Sequence, residues 1–80
     1  MVPFDYENPW HRYVNLYCCI ACDVCETEIP LGVLEGDDLA LTYELQCVRL
    51  SDIAENRGWK ALPDGWSFQC PECVSHPTST

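Results

Sequence analysis

Apolar and polar positions alternate from Arg12 to Ala21, with Val14, Leu16, Cys18 and Ile20 on one side and Tyr13, Asn15, Tyr17 and Cys19 on the other. A period of two with β-branched and aromatic content predicts a strand. Thr27, Ile29 and Leu31 resume the alternation, which places the segment Cys22 to Cys25 at the tip of a hairpin-like turn. Gly32 and the run Gly36-Asp37-Asp38 are turn signals. Leu39 to Leu50 carries two periods at once. Leu39, Leu41, Tyr43, Leu45 and Cys47 alternate as in a strand, whereas Leu41, Leu45 and Val48 suit a helix face. Its Thr, Tyr, Cys and Val are poor helix formers, so strand is the favoured assignment. Ser51 is then placed to cap a short helix from Asp52 to Arg57, with acids in its first turn and Gly58 to end it.

Trp59, Leu62 and Trp66 follow as large apolar anchors, Pro63-Asp64-Gly65 as a tight turn, and Trp66 to Gln69 as a short strand. The first eleven residues hold Pro3 and Pro9 beside Phe4, Tyr6 and Trp10. They are too proline-rich for a helix and too aromatic for a disordered tail, so an irregular arm packed across the core is expected, with a segment that folds onto a partner as the alternative. The organisation predicted is an aromatic arm and first strand over residues 1–19, a cysteine-bearing domain over 20–74, and a small polar disordered tail over 75–80.

Cysteine changes the picture most. Cys22-Asp-Val-Cys25 and Cys70-Pro-Glu-Cys73 are two pairs of the same internal spacing, separated by 44 residues. Thiolates bind soft and borderline metals strongly. Two intervening residues let one turn hold both sulfurs on a single ion while backbone N–H groups reach back to them. Two such pairs predict one tetrahedral site for a single Zn²⁺, with Fe as the alternative, and Pro71 stiffens the second turn. Cys19 stands three positions before Cys22, so Cys19 could replace Cys25 by a slip of register. Cys22 with Cys25 is the preferred pair, because Cys19 belongs to the strand alternation. Cys18 and Cys47 are expected as small buried hydrophobes, while His11 and His76 are possible single replacements for a thiolate.

Eighty residues form one domain, near the size at which an apolar core alone is marginal, and a metal crosslink is physically expected there. Seven cysteines, an odd number, and a start without a basic-then-apolar leader point to a reduced, cytoplasmic setting rather than a disulfide scaffold. No apolar run approaches the roughly 20 residues of a membrane span.

Four Lys and Arg face thirteen Asp and Glu, a net charge of −9. Four thiolates around a dication add about −2 more. Such a field repels a phosphate backbone, so direct nucleic-acid binding is not expected. The acidity serves solubility or matches a basic protein partner, such as a nucleic-acid-binding surface occupied by a charge mimic. Asp23, Glu26, Glu28, Glu35, Asp37, Asp38 and Glu44 fall in a stretch, Tyr13 to Val48, that has no Lys or Arg. They are the candidate partner-binding residues. No Ser-His-Asp or Cys-His grouping and no phosphate loop can be assembled, and four thiolates would close a metal to substrate, so no enzymatic activity is expected.

Cys22, Cys25, Gly58-Trp59, Cys70, Pro71 and Cys73, covering about residues 20–74, resemble the very small zinc-ribbon proteins of bacteriophage and bacterial genomes. That resemblance implies a structural four-cysteine zinc and an intracellular setting, in viral cases an infected host cell, with action through one host protein. Leu62-Pro63-Asp64-Gly65-Trp66 ahead of Cys70-Pro71-Glu72-Cys73 resembles the Leu-Pro-x-x-Trp-x-Cys-Pro-x-Cys segment of rubredoxins, which implies one Fe and electron transfer. Glu26 and Val74 stand where that family has glycine after each pair, and three residues, Ser67-Phe68-Gln69, replace its usual one. The expected fold is a small metal-stabilised α+β domain, zinc-ribbon or rubredoxin-like, with short antiparallel strands and one short helix. The expected function is an acidic protein-interaction module, with a rubredoxin-like iron carrier as the alternative.

Overall fold

The computed structural model describes residues 3–75. It is a small α+β fold of three helices and two short antiparallel sheets. Helix α1 spans Pro9–Tyr17, β1 Cys19–Ala21, β2 Glu28–Pro30, α2 Tyr43–Asn56, β3 Lys60–Ala61, β4 Phe68–Gln69 and α3 Pro71–Ser75. Two 3₁₀ turns, Leu31–Val33 and Gly36–Ala40, join β2 to α2. Among the described residues no helix is long and apolar enough to cross a membrane.

Three expectations are corrected. The strand expected over Arg12 to Ala21 is mostly helix α1, with only Cys19–Ala21 extended. Local chemistry explains the helix. Asn8 is extended, and its side chain accepts the Trp10 N–H at 2.9 Å, while Pro9 supplies a helical φ at the first position. Trp10 and Val14, four apart, are buried together with His11. Leu16 and Cys18, which the alternation placed beside Val14, are exposed. Cys18 ends the helix at φ 57°, its N–H bonded to the Val14 carbonyl. The proline-rich arm is therefore irregular only up to Asn8.

The strand expected over Leu39 to Leu50, and the short helix after it, are one fourteen-residue helix, α2. Thr42, not Ser51, is its cap, accepting the Leu45 N–H at 3.3 Å. Cys47, Leu50, Ser51 and Ala54 recur at helical spacing and are buried. This apolar stripe overrides the weak helix propensity of Tyr, Cys and Val, because tertiary packing stabilises a helix more than propensity does. Ser51 sits inside the helix and donates its hydroxyl to the Cys47 carbonyl at 2.8 Å. Gly58, at φ 98°, ends the helix where the sequence placed the stop.

The third correction concerns the core. Trp59 is buried, but Trp66 is half exposed, and the residue at the centre is Phe68. Its ring lies 4.6 Å from Trp10 and 5.0 Å from Tyr13, so α1 is seated directly on β4. Ile20, Ile29, Leu50 and Ala54 complete the cluster. Cys47 is buried as expected, whereas Cys18 is not. Of the tail expected over 75–80, only Ser75 falls within the described residues, as the last residue of α3; His76 lies outside them.

Candidate metal centre

The first cysteine pair sits on the turn between β1 and β2. The strands pair antiparallel with Ile20 opposite Ile29, and the Cys22 N–H bonds to the Thr27 carbonyl at 2.7 Å, closing the loop behind the pair. The Glu26 N–H returns to the Cys22 carbonyl, and Glu26 takes φ 65° to allow it. This left-handed position is one that glycine occupies without steric cost. The N–H groups of Val24 and Cys25 point at the Cys22 sulfur, at 3.4 and 3.5 Å.

The second pair is built differently. Cys70 directly precedes α3, Pro71 opens that helix, and the Val74 N–H bonds to the Cys70 carbonyl at 3.0 Å. One helical turn thus brings Cys73 back over Cys70. Both pairs meet because β4 is docked beside the first turn: Cys22 bridges Phe68 in parallel, and the Asp23 N–H bonds to the Phe68 carbonyl at 2.8 Å. Phe68 is the core anchor, so its burial also fixes where Cys70, two residues on, must arrive.

All four sulfurs lie within 4.8 Å of one another. Cys22 and Cys73 approach to 3.6 Å, and Cys25 and Cys70 to 3.5 Å. Four sulfurs at about 2.3 Å from a tetrahedral Zn²⁺ have S–S edges of about 3.8 Å. The donor set and its spacing fit a single metal ion, and four thiolates suit zinc and iron alike. Cys22 and Cys70 are buried, Cys73 is half-buried and Cys25 is exposed, so the cluster meets solvent on one side. Cys19 stands in β1 opposite Pro30 and is not part of this cluster. His11 is buried, with Nδ1 accepting the Asp5 N–H at 3.1 Å, and also lies outside it.

The thiols are divided electrostatically. Burial opposes ionisation of Cys22, but N–H groups of Cys25, Cys70 and Val24 outweigh it and bring its pKa down to about 6. Cys25 is lowered chiefly by the Thr27 hydroxyl, 3.1 Å from its sulfur. Cys73 is pushed up by burial and by the neighbouring sulfurs, which resist a further negative charge. A cation removes that conflict by holding all four as thiolates. Thr27 is a member of the site that sequence reasoning missed; its only signal was a hydroxyl residue two positions past Cys25.

Of the seven candidate acids, Asp23, Glu26 and Glu28 stand exposed on the turn and strand that carry the first pair. Glu35, Asp37 and Glu44 are exposed on the approach to α2 and its first turn. Asp38 is not free: its carboxylate meets the Arg49 Nε at 3.2 Å. Beside the sulfurs is a cleft of about 300 Å³. Buried Ile29, Trp59 and Cys70 line it together with exposed Glu28, Arg57 and Glu72. Neither a protein-family model nor a solved structure matches the chain.

Proposed function

We propose that this chain is a small acidic protein-interaction module, stapled by one structural Zn²⁺ on Cys22, Cys25, Cys70 and Cys73. In this reading it acts in the cytoplasm, as a phage-type inhibitor or regulator of a host protein whose own surface is basic and built to hold nucleic acid. The observation that carries it is the convergence of four cysteine sulfurs within 4.8 Å. Four thiolates complete a tetrahedral shell and leave no position for substrate or water, which assigns the metal to the fold and the function to the surface. When bound, the metal supplies only a crosslink and a fixed charge. Among the charged residues, thirteen carboxylates outnumber four cations, and a net charge of −9 favours cationic partners over nucleic acid.

Elemental analysis with a visible spectrum tests the metal: one zinc per chain and no colour are expected. Titration against a basic DNA-binding domain tests the surface. Binding that weakens with salt and is displaced by duplex DNA supports the proposal, whereas direct binding to the duplex overturns it. Reversing Asp37 and Glu44 together is expected to weaken partner binding without loss of zinc. Asp38 is the poorer probe, because its change also breaks the pair with Arg49.

A rubredoxin-like iron carrier is the second reading. Its support is the segment from Leu62 to Cys73. The two N–H groups aimed at the Cys22 sulfur serve zinc and iron alike, and would tune an iron-thiolate potential. One iron per chain with visible absorbance would promote it.

A further inference from the structure

Among the described residues, strand β2 has β1 on one side and no strand on the other. In the antiparallel ladder, bonds from Leu31 to Cys18 and from Cys22 to Thr27 bracket the Ile20–Ile29 pair. Glu28 and Pro30 therefore turn their backbone groups outward. Among the described residues nothing bonds to the Glu28 N–H or carbonyl. An unpaired strand edge is a template for another chain, and here it is short and ends at a proline, which limits it to a few bonds.

The cleft beside the sulfurs opens along this same edge, since Glu28 and Ile29 are among its lining residues. Its size is at the lower end of ligand pockets and suits one long side chain rather than a cofactor. The apolar lining from Ile29 and Trp59 suits a methylene stem, and the two carboxylates Glu28 and Glu72 outnumber the single guanidinium of Arg57. With a metal bound, Cys70 would bring the net negative charge of the four-thiolate shell to the wall, and thiolate sulfur accepts N–H bonds.

We propose that the β2 edge and this cleft form one docking groove for an extended segment of a partner protein. The segment adds as a third strand through the Glu28 N–H and carbonyl and the Pro30 carbonyl, and it places one Lys or Arg side chain in the cleft between Glu28 and Glu72. Backbone pairing holds the segment and the cleft selects the basic residue, which is the division of labour in strand addition. The assignment rests on the acidic-module reading of the function, and it places the anchoring contact of that acidic surface at one edge.

The test is selection of a displayed library of random peptides on the zinc-loaded full chain, followed by binding of the enriched peptides as synthetic products. Enrichment of Lys- or Arg-containing, β-forming sequences is expected, with amide shifts centred on residues 27–29 and on the Trp59 indole. Charge reversal by E28K with E72K should weaken binding about tenfold or more. Methylating the backbone nitrogens of the bound peptide should abolish it while leaving its charge unchanged. Both glutamates are exposed, so the variant should keep its zinc, which is measured alongside. Binding that survives N-methylation, or that is untouched by the reversal, overturns the groove. Basic peptides that instead shift Glu35, Asp37 and Glu44 overturn it while sparing the acidic-module reading. Enrichment of non-basic peptides, or of none, overturns the groove, and loss of binding to the basic DNA-binding domain as well sinks both.

Discussion

The Arg12 guanidinium lies over the Trp66 ring, 4.4 Å from its centroid, and its Nη2 donates to the Gly65 carbonyl at 2.9 Å. This contact ties α1 to the loop between β3 and β4, which runs directly into Phe68 and the second cysteine pair. The loop is itself well fixed, because Asp64 accepts the N–H groups of Trp66 and Ser67 and the Ser67 hydroxyl. Replacing Arg12 by Ala should cost about 1–2 kcal/mol, combining a cation–π contact and a hydrogen bond. Urea unfolding of the zinc-loaded protein measures it. In a double-mutant cycle with W66A the coupling should be about 0.5–1 kcal/mol; additive losses would show that Arg12 acts without the Trp66 ring, through its stem and its bond to the Gly65 carbonyl.

Removing the metal should unfold the region around both cysteine pairs. A competing chelator is expected to collapse amide dispersion and near-ultraviolet dichroism together, and Cys70→Ser should reproduce the effect without chelator. Cys25 is the exposed member of the cluster, so thiol reagents should attack it first, and mass mapping of a partial reaction would show the order. Retention of native dispersion by the metal-free chain would remove the metal from the folding account.

Glu26 holds φ 65° so that its N–H can close on Cys22. A left-handed conformation costs a side-chain-bearing residue about 1–2 kcal/mol. Glu26→Gly should therefore raise stability by about 0.5–1 kcal/mol after the greater freedom of glycine in the unfolded chain is deducted. Slower zinc transfer to a chelator should accompany the gain. Glu26→Pro should do the opposite, because it fixes φ in the wrong region and removes the N–H.

His11 gives the fold a pH dependence. Burial lowers its pKa below the ordinary 6.5, against the weaker opposing pull of Asp5, Asp52 and Glu55. Its Nδ1 accepts the Asp5 N–H, a bond that needs the unprotonated nitrogen. The unfolded chain takes up a proton near pH 6.5, whereas the folded chain resists until lower pH. Stability is thus complete above that value and falls as pH drops through the window below it. With zinc in excess, His11→Asn should flatten the slope between about pH 7 and pH 5.5. A ring-proton titration placing His11 above 6.5 would reverse the sign.

The sulfur cluster was legible in the sequence because a two-residue spacing is local information that any turn can express. The choice of Cys25 over Cys19 was legible too, from the placement of Cys19 in an extended segment. The helices were not. Val14 and Ile20 are both buried, but Leu16 and Cys18 between them are exposed, so the alternation is one of composition and not of burial. Asn8-Pro9 and Thr42 were readable start signals that the apparent period of two masked. Ser51 offered the same chemistry as Thr42, and only the packing of Cys47, Leu50 and Ala54 decides between them. Phe68, the centre of the core, carried no signal beyond its size. The pairing of Asp38 with Arg49, eleven positions on, needed the 3₁₀ turn and the helix to be in place first.

The two thiol pairs lie 45 to 51 positions apart in sequence, and nothing local draws them together. The turn of the first pair can form early, from near neighbours, whereas α2 gains its stability only as its buried stripe packs. Closing the long loop on the ion must come last, when Phe68 has found its place between Trp10 and Tyr13. Metal captured first by Cys22 and Cys25 would shorten that search by tethering the ion where Cys70 and Cys73 must land. Refolding should then run faster when zinc is present from the start than when it is added to a collapsed chain. The ion would in that case set the pace of assembly as well as the stability of its product.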